Sequence, residues 1–129
     1  MEENVEDRRS KLEDDLTRIY QVLKEATPDS LIIANEVLTS TTLQDAIFLG
    51  KKVMDILGRL DALCVWVTFI DELTSYSDKA VSMVCMVDPE NPSLRTYKIE
   101  RKPAHGISYT TTIAEKYGLT YESLKERIK

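Results

Sequence analysis

One stretch, residues 30–42, limits what this chain can fold into more than any other. Leu31, Ile32, Ile33 and Ala34 form a short, nearly continuous apolar run that ends in Asn35 and Glu36 and then passes into the hydroxyl-rich segment Thr39-Ser40-Thr41-Thr42. An apolar run too short for a helix and lacking alternation reads as a parallel strand covered on both faces. Ligands of open α/β sheets bind outside the carboxyl ends of the strands. Asn35 and Glu36 fall there, although an amide and a carboxylate also suit a plain turn.

The neighbouring segments supply what a parallel strand requires. Upstream, Leu12, Leu16, Ile19, Tyr20 and Leu23 lie three and four apart, which predicts an amphipathic helix from Lys11 to about Ala26. Glu13, Asp14 and Asp15 would crowd its first turn, and the acidic residues 1–8 would fray. Pro28 restrains Thr27 from helical angles, so Pro28-Asp29 should turn the chain into the strand. Downstream, Ala46, Ile47, Leu49, Val53, Met54, Ile56 and Leu57 predict a second, largely buried helix over residues 45–57, stopped by Gly58. Residues 62–68, Ala-Leu-Cys-Val-Trp-Val-Thr, repeat the buried-strand pattern. Strand, helix and strand in this order make a βαβ unit with a parallel pair.

Beyond Ala80 the pattern becomes antiparallel. Residues 81–88 and 95–102 are extended runs joined by Pro89-Glu90-Asn91-Pro92-Ser93, which is turn chemistry and predicts a hairpin with Tyr97 and Ile99 facing inward. A short helix over residues 108–116 closed by Gly118, and a last helix over residues 121–128 capped by Thr120, complete the expectation. The fold class is therefore α/β.

Composition matters mainly for what it excludes. With 129 residues the chain can bury one core, and its net charge of −5 supplies no basic face for nucleic acid. No apolar run reaches membrane-spanning length, and a cytoplasmic location is expected. Cys64 and Cys85 lie in apolar runs and read as buried, reduced thiols. Without a neighbouring histidine they make no zinc site. Met54, Met83 and Met86 read as core filler, and His105, the single histidine, as a loop residue.

A strand ending in two carboxylates is what a nucleotide hydrolase places beside a triphosphate. One helps to hold magnesium and the other takes a proton from the attacking water. Here the first position is Asn35, an amide that brings no negative charge, and the second is Glu36. A phosphate cradle of the form GxxxxGK[ST] is missing from the sequence: Gly50-Lys51 falls in the middle of the second helix, and Gly58, Gly106 and Gly118 open no such loop. Taken by itself the chain should not hydrolyse ATP.

Taken together, the order of elements and the strand-end residues resemble the C-terminal half of the MutS-type DNA mismatch-repair ATPase domain, an ABC-class P-loop fold. The resemblance runs from about Arg9 to Ile128. Leu31-Ile32-Ile33-Ala34-Asn35-Glu36 is similar to the family's Walker B strand, which ends in Asp-Glu. Ser40-Thr41-Thr42-Leu43-Gln44-Asp45 resembles its Gly-Thr-Ser-Thr-x-Asp loop, the dimer-facing D-loop region. Thr68-Phe69-Ile70-Asp71-Glu72-Leu73 resembles Thr-His-aromatic-x-Glu-Leu, whose histidine senses the γ-phosphate. Arg9-Ser10 resembles the signature segment, and Gly106-Ile107-Ser108-Tyr109 with Ala114-Glu115-Lys116-Tyr117-Gly118-Leu119 resembles the closing helix, with looser spacing.

The resemblance implies a partial P-loop domain over residues 1–129, with a parallel βαβ core, a C-terminal hairpin and helices. Glu36 would be the catalytic base. Asn35 would stand at the magnesium side, and Asn35, Thr68 and Phe69 would face the chain's own ATP. Ser10 and Asp45 would face a second copy of the domain, although a helix N-cap is the ordinary job for a serine such as Ser10. The phosphate loop and the domains that read mismatched DNA would lie upstream of Met1. Three departures bear on activity: Asn35 replaces the family's aspartate, Phe69 replaces its histidine, and Leu38-Thr39-Ser40 replaces a glycine-containing turn. Slow or absent hydrolysis is one consequence, and a hydrolysis-deficient dimerisation module with the same fold is the alternative. An unrelated α/β domain whose Asn35-Glu36 merely forms a turn is a third reading, in which Phe69 is simply core. An open sheet edge that favours self-association is also expected.

Overall fold

The computed structural model describes residues 5–104, 118–119 and 121–128. The chain divides into two compact units, Met1–Ala80 and Val81–Lys129.

In the first unit, helix α1 (Val5–Glu25) leads through a turn into strand β1 (Leu31–Asn35), helix α2 (Leu43–Leu60) and strand β2 (Leu63–Val67), followed by a 3-10 helix, Asp71–Ser75. The two strands pair in parallel, with Ile33 opposite Val65 and Asn35 opposite Val67. The expected βαβ order is present. Turn chemistry at Pro28-Asp29 also acts as expected, with the Ser30 amide donating to the Thr27 carbonyl at 2.9 Å.

Several boundaries differ from expectation for identifiable reasons. Helix α1 begins at Val5, inside the stretch expected to fray. Glu13, Asp14 and Asp15 therefore sit in mid-helix rather than against the dipole of a first turn. Gly58 lies within α2, which continues to Leu60 and closes on Asp61. Asp61 takes the left-handed conformation (φ 60°) and its amide donates to the Leu57 carbonyl at 2.9 Å. A short polar side chain tolerates that conformation, so no glycine is needed. The Lys79 ammonium reinforces this end, donating to the Gly58 carbonyl at 2.9 Å and the Asp61 carboxylate at 3.1 Å.

The two strands are not covered on both faces. Burial alternates along each: Ile32, Ala34, Cys64 and Trp66 are half-buried, whereas Leu31, Ile33, Leu63, Val65 and Val67 are exposed, Ile33 by 71% and Leu63 by 68%. A continuous apolar run hides the alternation because both faces carry apolar residues, yet within this unit only one face meets the core. Burial of Cys64 pushes its thiol above the ordinary value.

That core is small and sits behind the strand ends. Leu38, Ala46, Ile70 and Leu73 are its buried members, with Leu12, Ile19, Val37, Ile47, Leu49, Met54 and Trp66 packed against them. Gly50 is part of the fit. A Cβ at Gly50 would come within 2.8 Å of Leu73 Cδ1, so a larger residue there forces the Leu73 side chain to shift. Further along, Tyr76 donates its hydroxyl to the Asp55 carboxylate at 2.9 Å, and the Lys51 ammonium lies 5.2 Å from the Tyr76 ring centroid. The segment after β2 is thus fastened along α2 at Leu73, Tyr76 and Lys79.

The second unit contains the expected antiparallel hairpin, strands β3 (Met83–Val87) and β4 (Arg95–Arg101). Its loop is closed by the Asp88 amide donating to the Leu94 carbonyl at 2.8 Å, and the Asp88 carboxylate accepts from the amides of Glu90 and Asn91. Tyr97 and Ile99 do not face inward. All of β4 is exposed, Tyr97 by 90%. A register irregularity between Cys85 and Val87, with Tyr97 at φ 58°, breaks the simple alternation on which the inward expectation rested. Cys85 and Met83 are exposed rather than core, because they stand on the outward side of β3, whereas Met54 does pack in the first unit's core. Helix α3 (Tyr121–Arg127) matches the expected last helix. The helix expected over residues 108–116, the Thr120 cap, His105 and the segment 106–117 lie outside the described residues. Gly118 has φ 67°, in the left-handed region that glycine adopts readily.

Candidate functional site

The parallel pairing brings two polar strand ends to one edge. Asn35 is the last residue of β1 and stands opposite Val67, the last of β2, so Asn35-Glu36 and Thr68-Phe69 leave the sheet side by side. The Glu36 amide donates to the Val67 carbonyl at 2.7 Å. This bond extends the ladder by one step and fixes the backbone at the point where both chains turn away.

Glu36 is held in the left-handed region, φ 50°, and so is Leu38, φ 65°. Two non-glycine residues with positive φ within three positions are uncommon and persist only where their surroundings over-determine them. For Glu36 the restraint is the bond to Val67. For Leu38 it is burial, since its side chain is 2% exposed in the core. The result is a loop whose side chains divide: Leu38 points into the protein, while Asn35 and Glu36 are exposed. Among the described residues, no hydrogen bond or ion pair engages the Glu36 carboxylate.

On the neighbouring loop, Thr68 is half-buried and its Oγ1 accepts from the Ile70 amide at 3.0 Å, which tightens the turn out of β2. Phe69 is 67% exposed, so it is not the core residue that one reading made of it. Its neighbour Ile70 occupies the core instead. Asp45 sits in the first turn of α2, exposed, with its amide donating to Oγ1 of the N-cap Thr42 at 3.2 Å. Capping is therefore the work of Thr42. Ser10 lies inside α1 and is not an N-cap, because the helix starts at Val5.

Asn35, Glu36, Thr68 and Phe69 are thus brought to one edge. The strand pattern pointed to Asn35 and Glu36, and the resemblance to all four. Leu38 was named only within the segment that replaces a glycine-containing turn, not as a buried anchor, and the Gly50–Leu73 contact was not singled out, although a glycine inside an apolar helix was a visible signal.

The chemistry of the edge is limited. One carboxylate and one amide do not make a metal site, and among the described residues no group of three or more His, Cys, Asp or Glu side chains could hold an ion. Among the described residues, a shallow groove is lined by Tyr121, Leu124, Lys125 and Ile128 of the second unit, and none of these is a strand-end residue. No described helix is long and apolar enough to cross a membrane.

Compared with known proteins, the chain matches no family model and no curated sequence.

Proposed function

We propose that the chain is the strand-end part of a MutS-like ATPase domain of the ABC-class P-loop type, with ATP and Mg2+ bound against Asn35, Glu36, Thr68 and Phe69. One observation carries the reading: two parallel strands deliver these residues to a single carboxyl edge, with the Glu36 backbone pinned to Val67 and its carboxylate exposed. The left-handed φ of Leu38 adds support. It lies where the resemblance replaces a glycine-containing turn, and left-handed backbone is what glycine serves best.

In this proposal Glu36 accepts a proton from the water that attacks the terminal phosphate. Asn35 would stand at the magnesium side without adding charge, and the Thr68 hydroxyl holds the turn that presents Phe69. Phe69 cannot donate a hydrogen bond to phosphate, so turnover is slow. Backbone amides for the β- and γ-phosphates come from a phosphate loop outside this sequence, and the chain alone is inactive. Asp45 and Ser10 face a second copy of the domain. Mismatched DNA is met by other domains of the parent protein, in keeping with the acidic balance of this chain.

A second reading, a hydrolysis-deficient dimerisation module, is favoured by the exposed apolar sheet face formed by Leu31, Ile33, Leu63, Val65 and Val67. The deciding experiment measures ATP turnover with the phosphate-loop polypeptide supplied. Under the hydrolytic reading, Asn35→Asp combined with Phe69→His raises turnover at least tenfold, and Glu36→Gln abolishes it. Turnover indifferent to both changes rejects that reading.

A further inference from the structure

We propose that Leu38 is a clamp that makes the two strand-end loops, one carrying Glu36 and the other Phe69, move as a single body. Leu38 follows Glu36 by two residues, and Ile70 follows Phe69 by one. Both side chains enter the same buried cluster, Leu38 at 2% and Ile70 at 4% exposure, together with Ala46 of α2 and Leu73 of the 3-10 helix. Backbone bonds hold both loops in place: the Glu36 amide is bonded across to Val67 at the end of β2, and in the second loop the Ile70 amide is bonded to the Thr68 hydroxyl and the Leu73 amide to the Ile70 carbonyl at 3.2 Å.

Position 38 is where the design shows. Leu38 holds a left-handed backbone that a glycine would adopt without strain, so the side chain is retained against the conformational preference of its own residue type. A leucine there converts an otherwise pliable turn into one seated in the core. The consequence is mechanical: a ligand or partner that displaces Glu36 must also displace Leu38, then Ile70, and with it Phe69. Because Leu73 is seated over Gly50, the displacement continues along the segment fastened to α2 by Tyr76 and Lys79. This coupling rests on backbone and core alone and holds whether or not the edge binds a nucleotide.

Amide hydrogen exchange on the full chain tests it, because the amides of Glu36, Ile70 and Leu73 are all hydrogen-bonded, the first reporting on the end of β1 and the other two on the loop after β2. Leu38→Gly keeps the required backbone conformation and removes the clamp. Exchange at Glu36, Ile70 and Leu73 should rise together at least tenfold while the amides of the β1–β2 ladder from Leu31 to Asn35 and Leu63 to Val67 keep their rates. A rise confined to Glu36 would show that the loops are independent, and an equal rise across the whole first unit would reduce Leu38 to bulk stability. Either result overturns the proposal. Should Leu38→Gly fail to fold, Thr68→Val loosens the other loop without touching the core, and the proposal then requires faster exchange at Glu36. An unchanged Glu36 rate in that variant rejects it.

Discussion

Two glycines in one helix make the sharpest test of the packing described above. Gly50 and Gly58 both lie inside α2, and replacing an interior helical glycine by alanine stabilises a helix by about 0.8–1 kcal/mol when nothing else changes. At Gly58 nothing lies within 4 Å of the added Cβ, so Gly58→Ala should realise most of that gain. At Gly50 the new methyl would stand 2.8 Å from Leu73 Cδ1 and 3.0 Å from Cδ2. Leu73 is 3% exposed and clustered with Leu38, Ala46 and Ile70, so moving its side chain aside disturbs the core. Overpacking of this kind costs roughly 1–3 kcal/mol. The two terms leave Gly50→Ala destabilised by about 1 kcal/mol and separate the two variants by about 2 kcal/mol. Urea unfolding followed by fluorescence measures the difference cleanly, because Trp66 is the sole tryptophan and lies in the first unit, packed against the same core. Equal stabilisation by both substitutions would refute the seating of Leu73 over Gly50, and with it the path from the strand ends to α2.

Other outcomes follow from single contacts. Asp61→Gly relieves a left-handed backbone and gives up an exposed ion pair with Lys79. A net stabilisation of about 0.5 kcal/mol is expected in thermal unfolding, since exposed pairs contribute only a few tenths to one kcal/mol. Loss of stability instead would show that the Lys79 bridge governs the helix end. Trp66 buries its indole N–H without a partner among the described residues. Trp66→Phe, followed by circular dichroism, should therefore cost under about 1.5 kcal/mol, because removing an unpaired donor offsets part of the lost packing; a loss of 3 kcal/mol or more would mean the indole is hydrogen-bonded. Finally, the hydrogen bond to Asp55, with lesser help from burial and the Asp55 charge, pushes the Tyr76 phenol above its ordinary value. A phenol raised on folding adds stability that is present below about pH 10 and is lost as pH rises through its folded value. Asp55→Asn should return the phenolate absorbance of Tyr76 toward the ordinary tyrosine range, and an unaltered titration would deny the contact.

The positions of β1, α2, β2 and the hairpin were legible because each is a short-range pattern. An apolar run such as Leu31–Ala34, periodic positions such as Ala46, Leu49 and Val53, and turn residues such as Pro89 and Asn91 act within a few neighbours, and so does the placing of Asn35 and Glu36 at a strand end. Exposure was not legible in the same way. Leu31, Ile33 and Tyr97 have the residue types of a core, but whether a face is covered depends on what else packs there. Phe69 and Ile70 illustrate the limit: both are large and apolar, and the turn fixed by Thr68 sends the second inward and the first out.

What the sequence by itself determined, then, is the order of elements and the chemistry available at the end of β1: one amide, one carboxylate and no phosphate cradle. Only the tertiary structure decided that Thr68 and Phe69 join them at one edge, that Leu38 is the buried anchor of that edge, and that Gly50 exists to admit Leu73. The physical reason is range. Backbone preference and hydrophobic periodicity act along a few residues, whereas burial and steric fit are set by segments far apart in the chain, and no residue carries a mark of the partner it will meet.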